Sequence, residues 1–318
     1  MSVSRAEPGS RNSRLAKAVC SVVVLAVIGV VYATSANAFR DYKVVLGRSW
    51  PTIDLVSIDQ IDHWDWDRLL KRHVDETGNV GYAAWKEAPA DMQALDQYLI
   101  RLSRANPTLD ASREARLAFW INAYNALTIR GILREYPTAS IQNHVARMWG
   151  FNIWRDLLLH VGERNYSLGQ IEHELLRPLR EPRIHFAIVC GSKGCPRLLN
   201  RAYQSSGLEQ QLQENSRNFF ADPHKLGYDA STGKLRLSPI LKWYAEDFGE
   251  SQAEMLDTII PYLPERVSGR LPDKRTLRAD YLDYDWSLND QAPANPTVPA
   301  LPDAGPTEED DLRYDPDR

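Results

Sequence analysis

The chain has 318 residues, a net charge of −4, and a composition that is 43% hydrophobic and 25% charged. That balance is ordinary for a globular protein and excludes collagen-like, low-complexity and all-membrane chains. The body is acidic and carries no run of Lys or Arg, which argues against nucleic acid as a partner.

Residues 1–38 are distinct. Arg5, Arg11, Arg14 and Lys17 precede the apolar run AVCSVVVLAVIGVV (18–31), and Ala36-Asn37-Ala38 follows as an A-x-A site. This is the pattern of a secretory signal cut after Ala38. The stretch from Ala18 to Ala36 also suffices to span a bilayer, so an uncleaved anchor is the alternative. Either way the chain is expected to be exported, to the periplasm or cell envelope, and to meet a membrane only through this segment. After cleavage Cys190 and Cys195 remain, and an oxidising compartment makes a disulfide their expected state.

Residues 39–64 read as an extended lead-in containing Pro51. Trp64 to Val74 has helical spacing, with Trp66, Leu69, Leu70 and His73 on one face. A turn at 78–82 leads to a second amphipathic helix over 91–104, with Met92, Leu95, Leu99 and Leu102 aligned. The strongest helix covers 112–135. Asp110 or Ser112 caps it, Pro137 closes it, and its centre LAFWINAYNALTIRGIL is apolar almost all round, which requires burial. Residues 140–160 read as irregular or helical, with Trp149 and Trp154. A helix opens at Ser167 and ends at Arg177-Pro178.

RIHFAIVC (183–190) is short, β-branched and apolar on both faces, which predicts a buried strand. The turn Gly191-Ser192-Lys193-Gly194 follows, and Cys195-Pro196 then reads as a helix start. Helix resumes over 210–220, a hairpin is expected over 226–237, and helices near 239–248 and 251–262 complete the domain. From Gln291 on, six Pro and seven Asp or Glu in 28 residues read as a disordered acidic tail. The expected fold class is α+β: a helix-rich single domain with a small central β-sheet and a buried central helix.

FWINAYNALTIRGIL (119–133), SLGQIEHELLRP (167–178), RIHFAIVCGSKGCPRL (183–198) and YDWSLND (284–290) resemble, in this order and spacing, the motifs of DUF547, a domain of unknown function. The resemblance covers roughly residues 65–290 and implies one continuous domain. It marks Asn122, Asn125, Glu172, His173, His185, Cys190 and Cys195 as motif positions and supplies no substrate.

The chemistry-bearing residues each admit two readings. At a helix start after a Gly-rich turn, the Cys195 thiol would be activated by the helix dipole and by Lys193, the layout of a nucleophile. The other reading is a Cys190–Cys195 bridge tying strand end to helix start. His173, beside Glu172, and His185 are the candidate bases. On a strand, His185 and Cys190 would face opposite sides. Asn122 and Asn125, three apart on the buried helix, either orient a catalytic group or hydrogen-bond a neighbouring loop.

The string HELLR (173–177) lacks the second His of a zinc-protease helix, and Cys190, Cys195, His173 and His185 have no standard zinc spacing. No metal or cofactor is expected. Two functions follow: a Cys-centred hydrolase or acyltransferase using Cys195, His173 or His185, Glu172, Asn122 and Asn125, or a non-catalytic envelope binding or scaffold protein whose Cys pair is a staple. The ligand class open to both is a small molecule or peptide.

Overall fold

The computed structural model describes residues 42–145, 151–229, 231–271 and 277–291. The N-terminal apolar segment, Trp149 and the Pro-rich tail from 292 lie outside them. The elements below belong to one compact unit beginning at Lys43, and the fold class is α+β.

Strand β1 (Val44–Leu46) lies in the stretch read as an extended lead-in. Helices α1 (Trp64–His73), α2 (Tyr82–Lys86) and α3 (Pro89–Leu102) follow. The buried face of α1 is the expected one: Trp66, Leu69, Leu70 and His73. Trp64, two residues from Trp66, points the other way and is 61% exposed.

Helix α4 (Arg113–Glu135) is the axis of the domain. Ser112 caps it by accepting a hydrogen bond from the Ala115 N–H, and nearly every side chain from Leu117 to Leu133 is buried. A helix apolar on all sides must be surrounded, and here α3, the 167–179 helix and β2 surround it.

Strands β2 (Leu157–Val161) and β3 (Arg164–Ser167) form a hairpin that begins in the stretch expected to be irregular or helical (140–160) and ends just beyond it. β1 pairs parallel with β2, Val44 opposite Leu157. The expected single sheet is therefore two small ones. The second comprises β4 (Leu226–Asp229), β5 (Lys234–Leu237) and β6 (Arg278–Tyr281), in the order β4-β5-β6. The β4–β5 hairpin is the one expected over 226–237. Helix α5 (Leu208–Ala221) and helix α6 (Gln252–Ile259) pack around this sheet, and Phe186, Phe219, Phe220 and Leu256 join its core.

The expected strand 183–190 does not form. Pro182–Phe186 is a 3-10 turn, and Ala187 to Gln204 contains no helix or strand beyond a single bridge between Ser192 and Leu288. The physical reason lies in where the backbone groups are satisfied. Asn125 accepts from the Val189 N–H (2.9 Å) and donates to the Ala187 carbonyl (3.0 Å), as a neighbouring strand would. Asn215 donates to the Phe186 carbonyl at 2.7 Å. The same absence of regular structure removes the expected helix at Cys195-Pro196, because Asn122 grips both the N–H and the carbonyl of Tyr203.

Candidate functional site

A half-open cleft lies where the two hydrophobic cores meet. Tyr124 and Ile188 come from or beside the α4 core, and Ile240 and Tyr244 from the core of the second sheet. The cleft also takes in Glu172, His185, Cys190 and Cys195. Four candidates read from the sequence thus converge on one surface.

Cys190 and Cys195 are bridged, with Cα atoms 6.2 Å apart, inside the range a disulfide spans. No helix begins at Cys195, so the dipole argument for an activated thiol does not apply. The Gly191–Gly194 turn is held instead by the returning segment 285–289. Lys193 N–H donates to Ser287 O and Gly194 N–H to Asp285 O, both at 2.8 Å, while Asn289 N–H donates to Gly191 O at 2.9 Å. Gly191 has φ 84°, a conformation that favours glycine. A Cβ on Gly194 would lie 2.8 Å from the Tyr284 ring, so glycine there lets Tyr284 close over the bridge. The Tyr284 hydroxyl lies 3.2 Å from Cys195 Sγ, 3.3 Å from Cys190 Sγ and 2.9 Å from Ser192 Oγ. Burial raises its pKa, the Ser192 contact lowers it in part, and the result lies well above the ordinary phenol value.

His185 is 3% exposed and stacks on Tyr244 at 4.0 Å between centroids. Its Nε2 lies 2.6 Å from Asp247 Oδ2. A carboxylate accepts, so Nε2 carries hydrogen, and in the neutral ring Nδ1 is the acceptor. Arg177 Nε also donates to Asp247 Oδ2, at 2.7 Å. Burial alone would raise the Asp247 pKa. The hydrogen bonds from His185 and Arg177 outweigh it and hold the carboxyl below its usual range. The expectation that His185 and Cys190 face apart assumed a strand. On the irregular backbone both line the cleft.

Glu172 sits in a π-helical segment (Ile171–Leu176) after a capping box formed by Ser167 and Gln170. The wide turn places Glu172 inward, 3% exposed, where Tyr124 donates to Oε2 at 3.3 Å. His173, one residue on, is half-buried and points its Nδ1 at Arg177 Nη1, 2.9 Å away. It does not line the cleft, and neither do Asn122 and Asn125, whose amides are engaged with loop backbone.

Three contributors escaped the sequence reading. Asp247 is 62 residues from His185, and no local motif joins them. Trp243 and Trp286 also line the cleft, with ring centroids 5.8 Å apart and Tyr284 against both, 4.8 and 4.4 Å away. The string YDWSLND holds Tyr284 and Trp286, although from sequence the segment reads as purely structural. Among the described residues, no group of three or more His, Cys, Asp or Glu is placed to hold a metal, and no helix is long and apolar enough to cross a membrane.

Fold and site together define an α+β domain with an aromatic, disulfide-lined cleft. The family model described as "Protein of unknown function, DUF547" matches residues 108–220, the family that the four motifs resemble. The match spans α4, the Glu172 helix, the bridged turn and α5. Asp247, Trp243, Tyr284 and Trp286 lie beyond it. No curated protein and no solved structure matches the chain.

Proposed function

We propose that this is an exported protein of the cell envelope whose cleft binds a ligand, with the Cys190–Cys195 bridge as a staple of the cleft wall. The closed bridge is the observation that carries the reading. Both sulfurs are tied to each other and to Tyr284, so the cleft presents no thiolate. A disulfide also suits an oxidising compartment, in keeping with the basic, apolar and A-x-A pattern of residues 1–38.

The test is alkylation of protein taken from its own compartment, without reductant, read by mass spectrometry. The reading expects Cys190 and Cys195 to stay unmodified until a dithiol is added. A Cys195 that alkylates rapidly without reductant sinks it.

The His185–Asp247 pair favours a second reading, a Cys-centred acyl-transfer site that works in the dithiol form. Cys195 would attack the acyl carbon, and His185 Nδ1 would take the thiol proton and pass it to the leaving group. This reading expects the reduced protein to alkylate at Cys195 with a depressed thiol pKa that Asp247→Asn restores toward the ordinary value. An unchanged pH profile in that variant removes it.

A further inference from the structure

The polar groups that face the cleft are unbalanced. Glu172 Oε2 is met by Tyr124, but Oε1 accepts no hydrogen bond from the described residues. His185 Nε2 is committed to Asp247, and Nδ1 has no hydrogen-bond partner among the described residues. Both side chains are more than nine-tenths buried. Neither acceptor atom is closed off from the cleft, so a donor that enters it can reach both.

The charges are unbalanced too. Among the described residues, no Lys or Arg lines the cleft. Arg177, which shares Asp247 with His185, is occupied by Asp247, Glu246 and His173. Glu172 therefore places a carboxylate in a half-open site whose other walls are aromatic rings, Ile188, Ile240, Pro196 and the disulfide. Trp243, Tyr284 and Trp286 present aromatic faces, which attract a cation electrostatically, Trp most strongly.

We propose that the cleft recognises an organic cation carrying N–H donors, an alkylammonium or guanidinium group. Its charge pairs with Glu172, its N–H groups meet Glu172 Oε1 and His185 Nδ1, and its carbon body lies against the Trp243–Tyr284–Trp286 cluster. A free amine metabolite and a basic side chain of a peptide share this chemistry. The inference rests on the cleft being the ligand site and assigns the class of ligand.

The experiment uses the full chain, oxidised, at neutral pH, with three probes of one shape: benzylammonium, benzyl alcohol and benzoate. Binding is followed by calorimetry and by Trp fluorescence. Benzylammonium is expected to bind about tenfold or more tightly than benzyl alcohol, the size of a hydrogen bond to a charged group, and benzoate more weakly than either. In Glu172→Gln the preference for the ammonium should vanish while the alcohol's affinity stays. Nα-acetyl-lysine amide and agmatine as competitors then separate the sources, since a peptide site favours a lysine flanked by amides over agmatine.

Equal affinity for ammonium and alcohol in the wild-type chain overturns the inference, as does absence of binding by all three. That comparison needs no variant, so a poorly folding Glu172→Gln leaves it intact. A charge-blind cleft with an alkylation-resistant bridge removes only this inference. A reactive Cys195 in the unreduced protein removes the staple reading and leaves the probe result standing.

Discussion

Asn125→Ala tests whether a side-chain amide does the work of a missing strand. Asn125 is 1% exposed and makes two hydrogen bonds to the irregular segment, one to Ala187 O and one from Val189 N–H. Both backbone groups belong to fully buried residues. Truncation leaves a buried donor and a buried acceptor unmet, at about 1–3 kcal/mol each. Some solvent entry through the small cavity reduces the sum, so we expect a loss of about 3 kcal/mol. For a domain of this size that lowers the melting temperature by about 6–12 °C. The assay is urea unfolding, followed by far-ultraviolet circular dichroism and by Trp fluorescence. Asn125→Asp sharpens the test. It keeps the acceptor for Val189 and has the right shape, yet sets a carboxylate oxygen against the Ala187 carbonyl, so it should fare no better than alanine. A loss under about 1 kcal/mol, or an aspartate variant as stable as wild type, would falsify the ladder-substitute argument. A purely catalytic Asn125 would show that second pattern, stability kept and function gone.

Three further outcomes are expected. Reducing the Cys190–Cys195 bridge, or replacing both cysteines by alanine, should cost about 2 kcal/mol, because a sequence separation of 5 closes only a short loop; equal urea midpoints with and without reductant contradict this. His63 is buried with Nδ1 2.6 Å from the Tyr98 hydroxyl. Burial first, and Arg101 in smaller part, lower its pKa to about 4 against a partial opposing effect of Asp62. The unfolded chain takes up this proton at higher pH than the folded one, so the stabilisation is complete above pH 6.5 and declines as the pH falls toward 4, by up to about 1.4 kcal/mol per pH unit. His63→Asn should flatten that slope, and an unchanged slope refutes the assignment. Gly194→Ala drives a methyl group against the Tyr284 ring; it should destabilise by about 1–3 kcal/mol and alter the near-ultraviolet dichroism of the Tyr284–Trp286 cluster, and an unaltered spectrum counts against the ring's place over the bridge.

Most of the helical frame was legible because it rests on local rules. Helix α4 is apolar all round and capped by Ser112, and α1 and α3 carry their apolar residues at helical spacing, so pattern alone locates them. The strands were less legible. LLLHV in β2 is five residues long with no alternation, and the RNYS of β3 is polar at Arg164, Asn165 and Ser167, so neither stands out from a helix end or a loop. RIHFAIVC has the composition of a buried strand, and composition reports burial. It does not report whether backbone partners come from a strand or from Asn125 and Asn215. The helix at Cys195-Pro196 failed for a related reason. Leu198, Leu199, Ala202 and Tyr203 stand at helical spacing and are buried, yet the backbone of residues 202–204 is held by Asn122 and Gln211 and not by a helix.

The misread segment supplies one wall of the cleft, through His185, Ile188, Cys190, Cys195 and Pro196, and that coincidence has a physical basis. A strand or helix alternates its side chains by a fixed period and would have sent His185 and Cys190 to different sides. An irregular chain escapes that period, but a loop is ordinarily exposed and mobile because its polar backbone needs water. Here buried amides replace the water. Asn122 holds Tyr203, Asn125 holds Ala187 and Val189, Asn215 holds Phe186, and Gln211 bonds Ala202 O and the Gln204 N–H, both at 2.8 Å. The bridge and the 285–289 segment fix the turn between them. The result is a loop with freely chosen side-chain directions and the rigidity of regular structure. Pre-organisation of that kind spares a ligand the ordering entropy of its site. It also predicts where sensitivity should fall: substitutions at Asn122, Asn125, Gln211 and Asn215, none of which lines the cleft, should weaken benzylammonium binding by loosening the loop, and should do so in proportion to the stability each one removes. Full affinity in a strongly destabilised Asn215→Ala chain would show that the cleft does not depend on the amides that hold the loop.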